Sequence, residues 1–98
     1  MEKGGFTYII TNKNITTFYV GVTSNLKRRL NEHKNKLNPN SFSARYNLSK
    51  LVYFEYWPSI DEAIIREKKL KNYSRKRKVE IIERINPNWE DLENQLDE

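Results

Sequence analysis

The sequence predicts an α/β fold: a small single domain whose three-stranded mixed sheet is flanked by helices, in the order ββαβαα. Three observations carry this. Residues 6–12 and 17–23 are β-branched and aromatic runs separated by Asn12, Lys13 and Asn14, the composition of a hairpin whose turn tolerates left-handed backbone. The second run passes straight into a helical period, with Leu26, Leu30, His33 and Leu37 at i, i+4, i+7 and i+11. A third apolar run, 50–57, precedes Ser59-Ile-Asp-Glu62, the capping-box spacing that opens a helix.

Each element follows from its residues. In the second strand, Gly21 stands between Tyr19 and Thr23 on one face, a side-chain-free position that leaves room for something to approach the backbone. Ser24 is the predicted N-cap of the first helix, about 25–36. Residues 37–41 read as a loop, and 41–47 as a loop or a short helical turn. The nearly continuous apolar content of 50–57 predicts a well-covered third strand, which Pro58 ends. The helix opened by Ser59 runs to about Asn72. Ser74 caps a last helix whose apolar side is Val79, Ile81, Ile82 and Ile85, and Asn86-Pro87 stops it.

Composition limits the function classes. Ninety-eight residues make one domain, 1–98, with a core of about 5–85 and an acidic tail, 86–98, docked on it through Trp89 and Leu92. Six Tyr, four Phe and two Trp argue against disorder. With no cysteine, disulfides and thiolate metal sites are excluded. No stretch is apolar enough to span a membrane, and Met1-Glu-Lys-Gly-Gly lacks a signal-peptide core, so a cytoplasmic, monomeric protein is expected. The net charge of +5 is uneven: residues 66–78 carry eight Lys and Arg against one acid, whereas 86–98 carry five acids and no Lys or Arg. A basic stripe suggests a polyanion such as nucleic acid, against the plainer reading of a solvated helix face.

Three helical residues stand out. Arg29 borders the Leu26–Leu30–Leu37 stripe and His33 lies within it, either as a snorkelling cation and an ordinary core histidine or as site residues. Glu67 is central to the face formed by Ile60, Ala63, Ile64 and Leu70. A carboxylate there must be neutral, paired or bound to a cation. That leaves a buried ion pair with Arg29, or a metal ligand.

Tyr19-Val20-Gly21 on a second strand, with Arg29 eight residues past the glycine, resembles the GIY-YIG nuclease family. Phe6-Thr7-Tyr8 stands for the first triplet, matching only at Tyr8, and Val22 stands where some relatives have Lys. The segment 21–29 is similar to its counterpart in the nuclease subunit of bacterial excision repair, and 62–67 to the segment with that family's metal-binding glutamate. The whole chain resembles small stand-alone bacterial UvrC-like GIY-YIG proteins.

The resemblance implies the GIY-YIG nuclease fold and a metal-dependent endonuclease, possible roles being repair or recombination. Tyr8, Tyr19, Arg29, His33 and Glu67 would be the catalytic set, converging on one solvent-reachable site. Glu67 would hold a single Mg²⁺ or Mn²⁺, bound weakly without substrate. Arg29 would bind phosphate, and Tyr8, Tyr19 or His33 would serve as base. Asn72 and Asn86 are alternative counterparts of a family asparagine. The expected partner is nucleic acid, DNA ahead of RNA, contacted by Lys27, Arg28, Lys34, Lys68, Lys69, Lys71, Arg75, Lys76, Arg77 and Lys78. Recognition would come from this domain, from a protein partner or from DNA shape. The alternative functions are a non-catalytic nucleic-acid-binding module using the 66–78 stripe and a protein-interaction domain anchored by Trp57 or Trp89.

Overall fold

The computed structural model describes residues 4–96. The start at Met1–Lys3 and the tail's last two acids, Asp97 and Glu98, lie outside them. The elements are β1 (Gly5–Thr11), β2 (Phe18–Thr23), α1 (Leu26–Lys34), α2 (Phe42–Arg45), β3 (Lys50–Trp57), α3 (Ile60–Asn72), α4 (Arg75–Ile85) and a 3-10 turn, Leu92–Leu96. Among the described residues, no helix is long and apolar enough to cross a membrane.

The sheet order is β2-β1-β3 and both pairings are antiparallel. This corrects the expected mixed sheet: β2 and β3 run in the same direction, but β1 lies between them, so no parallel pair forms. It also makes β3 an edge strand. Its first half is covered by the tail, where the Leu51 N–H donates to Asp91 Oδ1 at 3.4 Å and Asn86 Nδ2 donates to the Val52 carbonyl at 3.1 Å.

Side chains alternate across β1 and build two cores. Tyr8 and Ile10 face Leu26 and Leu30 of α1, with Leu48, Leu51 and Leu92. Ile9 faces Leu70 of α3 and Ile81 and Ile82 of α4, with Val20, Val52 and Tyr53. Thr7 Oγ1 fixes α3 to β1 by donating to the Ala63 carbonyl at 2.8 Å. Trp89 stacks on Phe18 at 5.8 Å and Leu92 is buried, so the tail rests on both layers.

The caps differ from expectation at one helix. Asn25, rather than Ser24, caps α1: its Oδ1 accepts from the Arg28 N–H at 3.1 Å, and Thr23 Oγ1 holds the Asn25 N–H. The amide side chain reaches the free donors one residue later than a serine at position 24 would. At the other end Lys36 adopts φ 51° and Leu37 N–H donates to the Glu32 carbonyl, which ends α1 early. Leu37 therefore leaves the apolar stripe. Ser59 caps α3 and Ser74 caps α4 as the sequence predicts.

Candidate active site

The α1 side of the sheet carries a cleft of about 460 Å³, lined among others by Tyr19, Arg29, Glu32, His33, Phe42 and Ser43. β2 supplies Tyr19, one helical face supplies Arg29 and His33, and the turn before β3 supplies Phe42 and Ser43. Tyr8 lies beneath it, because the hairpin register sets Tyr8 opposite Gly21. A Cβ at Gly21 would fall 2.5 Å from the Tyr8 hydroxyl. What approaches the backbone at Gly21 is thus the Tyr8 ring.

A hydrogen-bonded chain crosses this floor. Tyr8 OH and His33 Nε2 are 2.9 Å apart, and His33 Nδ1 and Ser43 Oγ 2.8 Å. Ser43 Oγ is 3.3 Å from Ser41 Oγ, which caps α2. Burial lowers the His33 pKa, and the Arg29 charge lowers it further against a smaller pull from Glu32, so the imidazole is neutral at pH 7. A neutral ring with its proton on Nδ1, donated to Ser43, leaves Nε2 to accept the Tyr8 O–H. Burial pushes the Tyr8 hydroxyl well above the usual phenol range and the Tyr19 phenol adds to it, while a hydrogen bond and the charge from Arg29 partly offset both. Tyr8 is fully buried. That corrects its expected solvent exposure: the Tyr19 and His33 rings, 6.3 and 5.9 Å away centre to centre, pack against it.

The two awkwardly placed charges are not partners. Arg29 Nε pairs with Glu32 Oε1 at 3.3 Å, whereas Glu67 Oε2 pairs with Lys71 Nζ at 2.6 Å. The buried Arg29–Glu67 pair allowed by the sequence does not form. Glu67 belongs to the α3 layer and does not line the cleft, so four of the five expected residues come together there and Glu67 does not. One link remains. Lys71 titrates above its ordinary value, chiefly through its bond to Glu67 and against desolvation, with a smaller push from the Tyr19 side chain. Tyr19 thus lies within electrostatic reach of both clusters.

Glu67 suits a hard divalent ion that keeps most of its shell in water and phosphate. Among the described residues there is no group of three or more His, Asp or Glu side chains that could hold a metal. Lys71, 52% exposed, covers Glu67 and can swing into solvent. Asn86 is engaged structurally: it donates to the Val52 and Glu90 carbonyls and accepts from the Glu90 N–H. Asn72, at the end of α3, is exposed.

The predicted basic row is divided. Arg75 clamps the hairpin turn, donating to the Ile15 and Thr16 carbonyls at 2.9 and 3.1 Å, with its guanidinium 4.3 Å from the Phe18 ring centre. Arg77 lies 5.0 Å from the Tyr73 ring. Lys34 is held by Asp91 and Glu93 of the tail, and Arg28 pairs with Glu32. Lys27, Lys68, Lys69 and Lys76 are exposed, and Lys78 is half-buried. A second groove, about 330 Å³, runs between the end of β3 and α3. Its Glu55 is occupied by Arg66 Nε at 3.1 Å, Trp57 Nε1 at 3.0 Å and the Tyr53 hydroxyl, an internal network. Ser43, Glu32 and Phe42 escaped the sequence reading, since only the chain reversal after α1 brings residues 42–43 to His33.

A phenol from the antiparallel sheet meets an imidazole and a guanidinium from α1 at one cleft of a small α/β domain. The chain belongs to the GIY-YIG family: the model of the GIY-YIG catalytic domain matches residues 4–80. It is similar to a UPF0213 protein of Syntrophus aciditrophicus (strain SB), 36% identical over 70 residues, 67% of this chain and 76% of the relative. A UPF0213 protein of Clostridium perfringens (strain 13 / Type A) is 34% identical over 77 residues, 79% of this chain and 81% of the relative. The solution structure of a UPF0213 protein from Bacillus halodurans has the same fold, with a TM-score of 0.56 at 25% identity over 90% of this chain and 92% of that one.

Proposed function

We propose that this protein is a metal-dependent endonuclease that hydrolyses phosphodiester bonds in nucleic acid, DNA ahead of RNA. The observation that carries the reading is the Tyr8–His33–Ser43 chain beside Arg29. Arg29 is half-exposed and lies against the Tyr8 hydroxyl. Turning to a phosphate oxygen, its planar fork would bind the non-bridging oxygens and uncover Tyr8. A water attacks phosphorus as the bond to the leaving oxygen breaks. Its proton passes to the Tyr8 oxygen while the Tyr8 proton passes to His33 Nε2, and the leaving oxygen takes a proton from solvent. Burial is the main cause of the lowered His33 pKa, and phosphate on Arg29 would offset only the further lowering that the Arg29 charge adds. Tyr19 would orient the water.

Glu67, which does not line the cleft, would hold one Mg²⁺ or Mn²⁺ for a substrate that reaches from the cleft to the α3 face, where the ion would neutralise phosphate charge. Lys68, Lys69 and Lys76 are exposed cations for the flanking backbone. The test is a cleavage assay on linear, flapped, branched and single-stranded substrates with Mg²⁺, with Mn²⁺ and with chelator. Metal-dependent products are expected. Binding without cleavage under every metal condition would leave the non-catalytic binding module.

A further inference from the structure

The cleft opens onto an apolar shelf that the chemistry above does not use. Among the described residues six large apolar side chains are prominently exposed, and three of them fall within ten residues of chain: Leu37 and Phe42 line this cleft, and Tyr46 adjoins it through Phe42. Phe42 is 47% exposed and Tyr46 48%. Their rings touch, with centroids 4.7 Å apart, and Phe42 is 6.3 Å from Tyr19, so aromatic surface runs continuously from the floor to the rim. On a chain with 32% charged residues this concentration calls for a partner. Packing of Phe42 on Tyr46 explains their contact, but not why each leaves about half its surface to water.

The surroundings identify the partner. Arg29 and Lys36 line the same cleft, and Arg45 is exposed in the helical turn between the two rings. Flat aromatic faces flanked by cations are complementary to a nucleotide, whose base stacks while its phosphate meets the charge. A base inside a duplex has both faces covered by its neighbours, so only an unpaired base can use the shelf. Resting on the nuclease reading, we propose that Phe42 and Tyr46 form a stacking platform for an unpaired base next to the phosphate at Arg29, which makes single-stranded or locally unpaired DNA the preferred substrate.

The test compares the wild type with Phe42→Ala/Tyr46→Ala and Phe42→Tyr, in chelator so that nothing is cut. The probes are a single-stranded DNA oligonucleotide carrying 2-aminopurine and the same sequence as duplex. Wild type should quench the single-strand fluorescence. The double alanine variant should lose the quenching and roughly 10- to 100-fold in single-strand affinity, with duplex affinity changed less than about twofold. Phe42→Tyr should bind as wild type, and both half-exposed sites allow the variants to fold, checked by thermal melts. Unchanged single-strand affinity in the alanine variant, or equal losses on both probes, would overturn the platform while leaving the nuclease reading in place. A wild type that binds neither probe would overturn both.

Discussion

Tyr8 and Gly21 face each other across β1 and β2, and the Tyr8 phenol fills the space that a side chain at Gly21 would need. Gly21 has no positive φ, so space and not backbone freedom fixes the residue there. Gly21→Ala puts a methyl against the fully buried Tyr8 ring and should cost about 1–3 kcal/mol. It should also displace Tyr8 from His33. A melt within a degree of wild type would show that the ring moves aside freely.

His33 makes stability depend on pH. Its folded pKa lies below the unfolded value near 6.5, so the unfolded chain binds the proton more readily. Its contribution is full above about pH 6.5 and lost as pH falls through the lowered folded value. Wild type should lose Tm between pH 6.5 and 5 more steeply than His33→Asn. Identical slopes would place the acid sensitivity elsewhere.

Ile15 stands at φ 56°, a poor conformation for a β-branched residue. Arg75 holds the carbonyls of Ile15 and Thr16. Ile15→Asn should stabilise the protein by about 0.5–1 kcal/mol, roughly 2–8 °C in Tm for a domain of this size. Arg75→Ala should lower Tm, and Arg75→Lys should restore only part of it, since an ammonium lacks the fork. A lower Tm for Ile15→Asn would mean that the Ile15 side chain contributes more through packing than its backbone costs.

Glu67→Gln separates a metal ligand from a structural charge. Glu67 is itself buried, but its partner is an exposed lysine one turn away, so Glu67→Gln leaves no buried charge unpaired and stability should change by less than about 1 kcal/mol. Metal-dependent cleavage should fall at least ~10²-fold. A loss of roughly 3–5 kcal/mol is the signature of a broken buried pair, an arrangement that the pairing of Glu67 with Lys71 and of Arg29 with Glu32 does not contain.

What was legible in the sequence was local. The Asn12–Asn14 turn, the Ser59–Glu62 cap and the inward face of Glu67 all follow from spacing within one or two turns. What was not legible depends on pairing across the chain. The sheet is antiparallel throughout because β3 joins the far side of β1. Tyr8 is buried because the hairpin register sets it over Gly21, which no helical period announces. Arg75 binds the Ile15 and Thr16 carbonyls, a contact across about 60 residues of chain. Arg29 pairs with Glu32 three residues along its own helix, so its place beside an apolar stripe does not lead it to Glu67.

In the proposed mechanism the Tyr8 hydroxyl, bonded to His33, is the proton acceptor at the reacting phosphate. Tyr8→Phe keeps the ring over Gly21 and removes only the oxygen. The most direct measurement is single-turnover cleavage by this variant and by wild type at saturating enzyme with Mg²⁺, on the substrate that the panel shows to be cut fastest. Tyr8→Phe should slow the cleavage step at least ~10²-fold, with DNA affinity in chelator unchanged. Cleavage by Tyr8→Phe at the wild-type rate would contradict it.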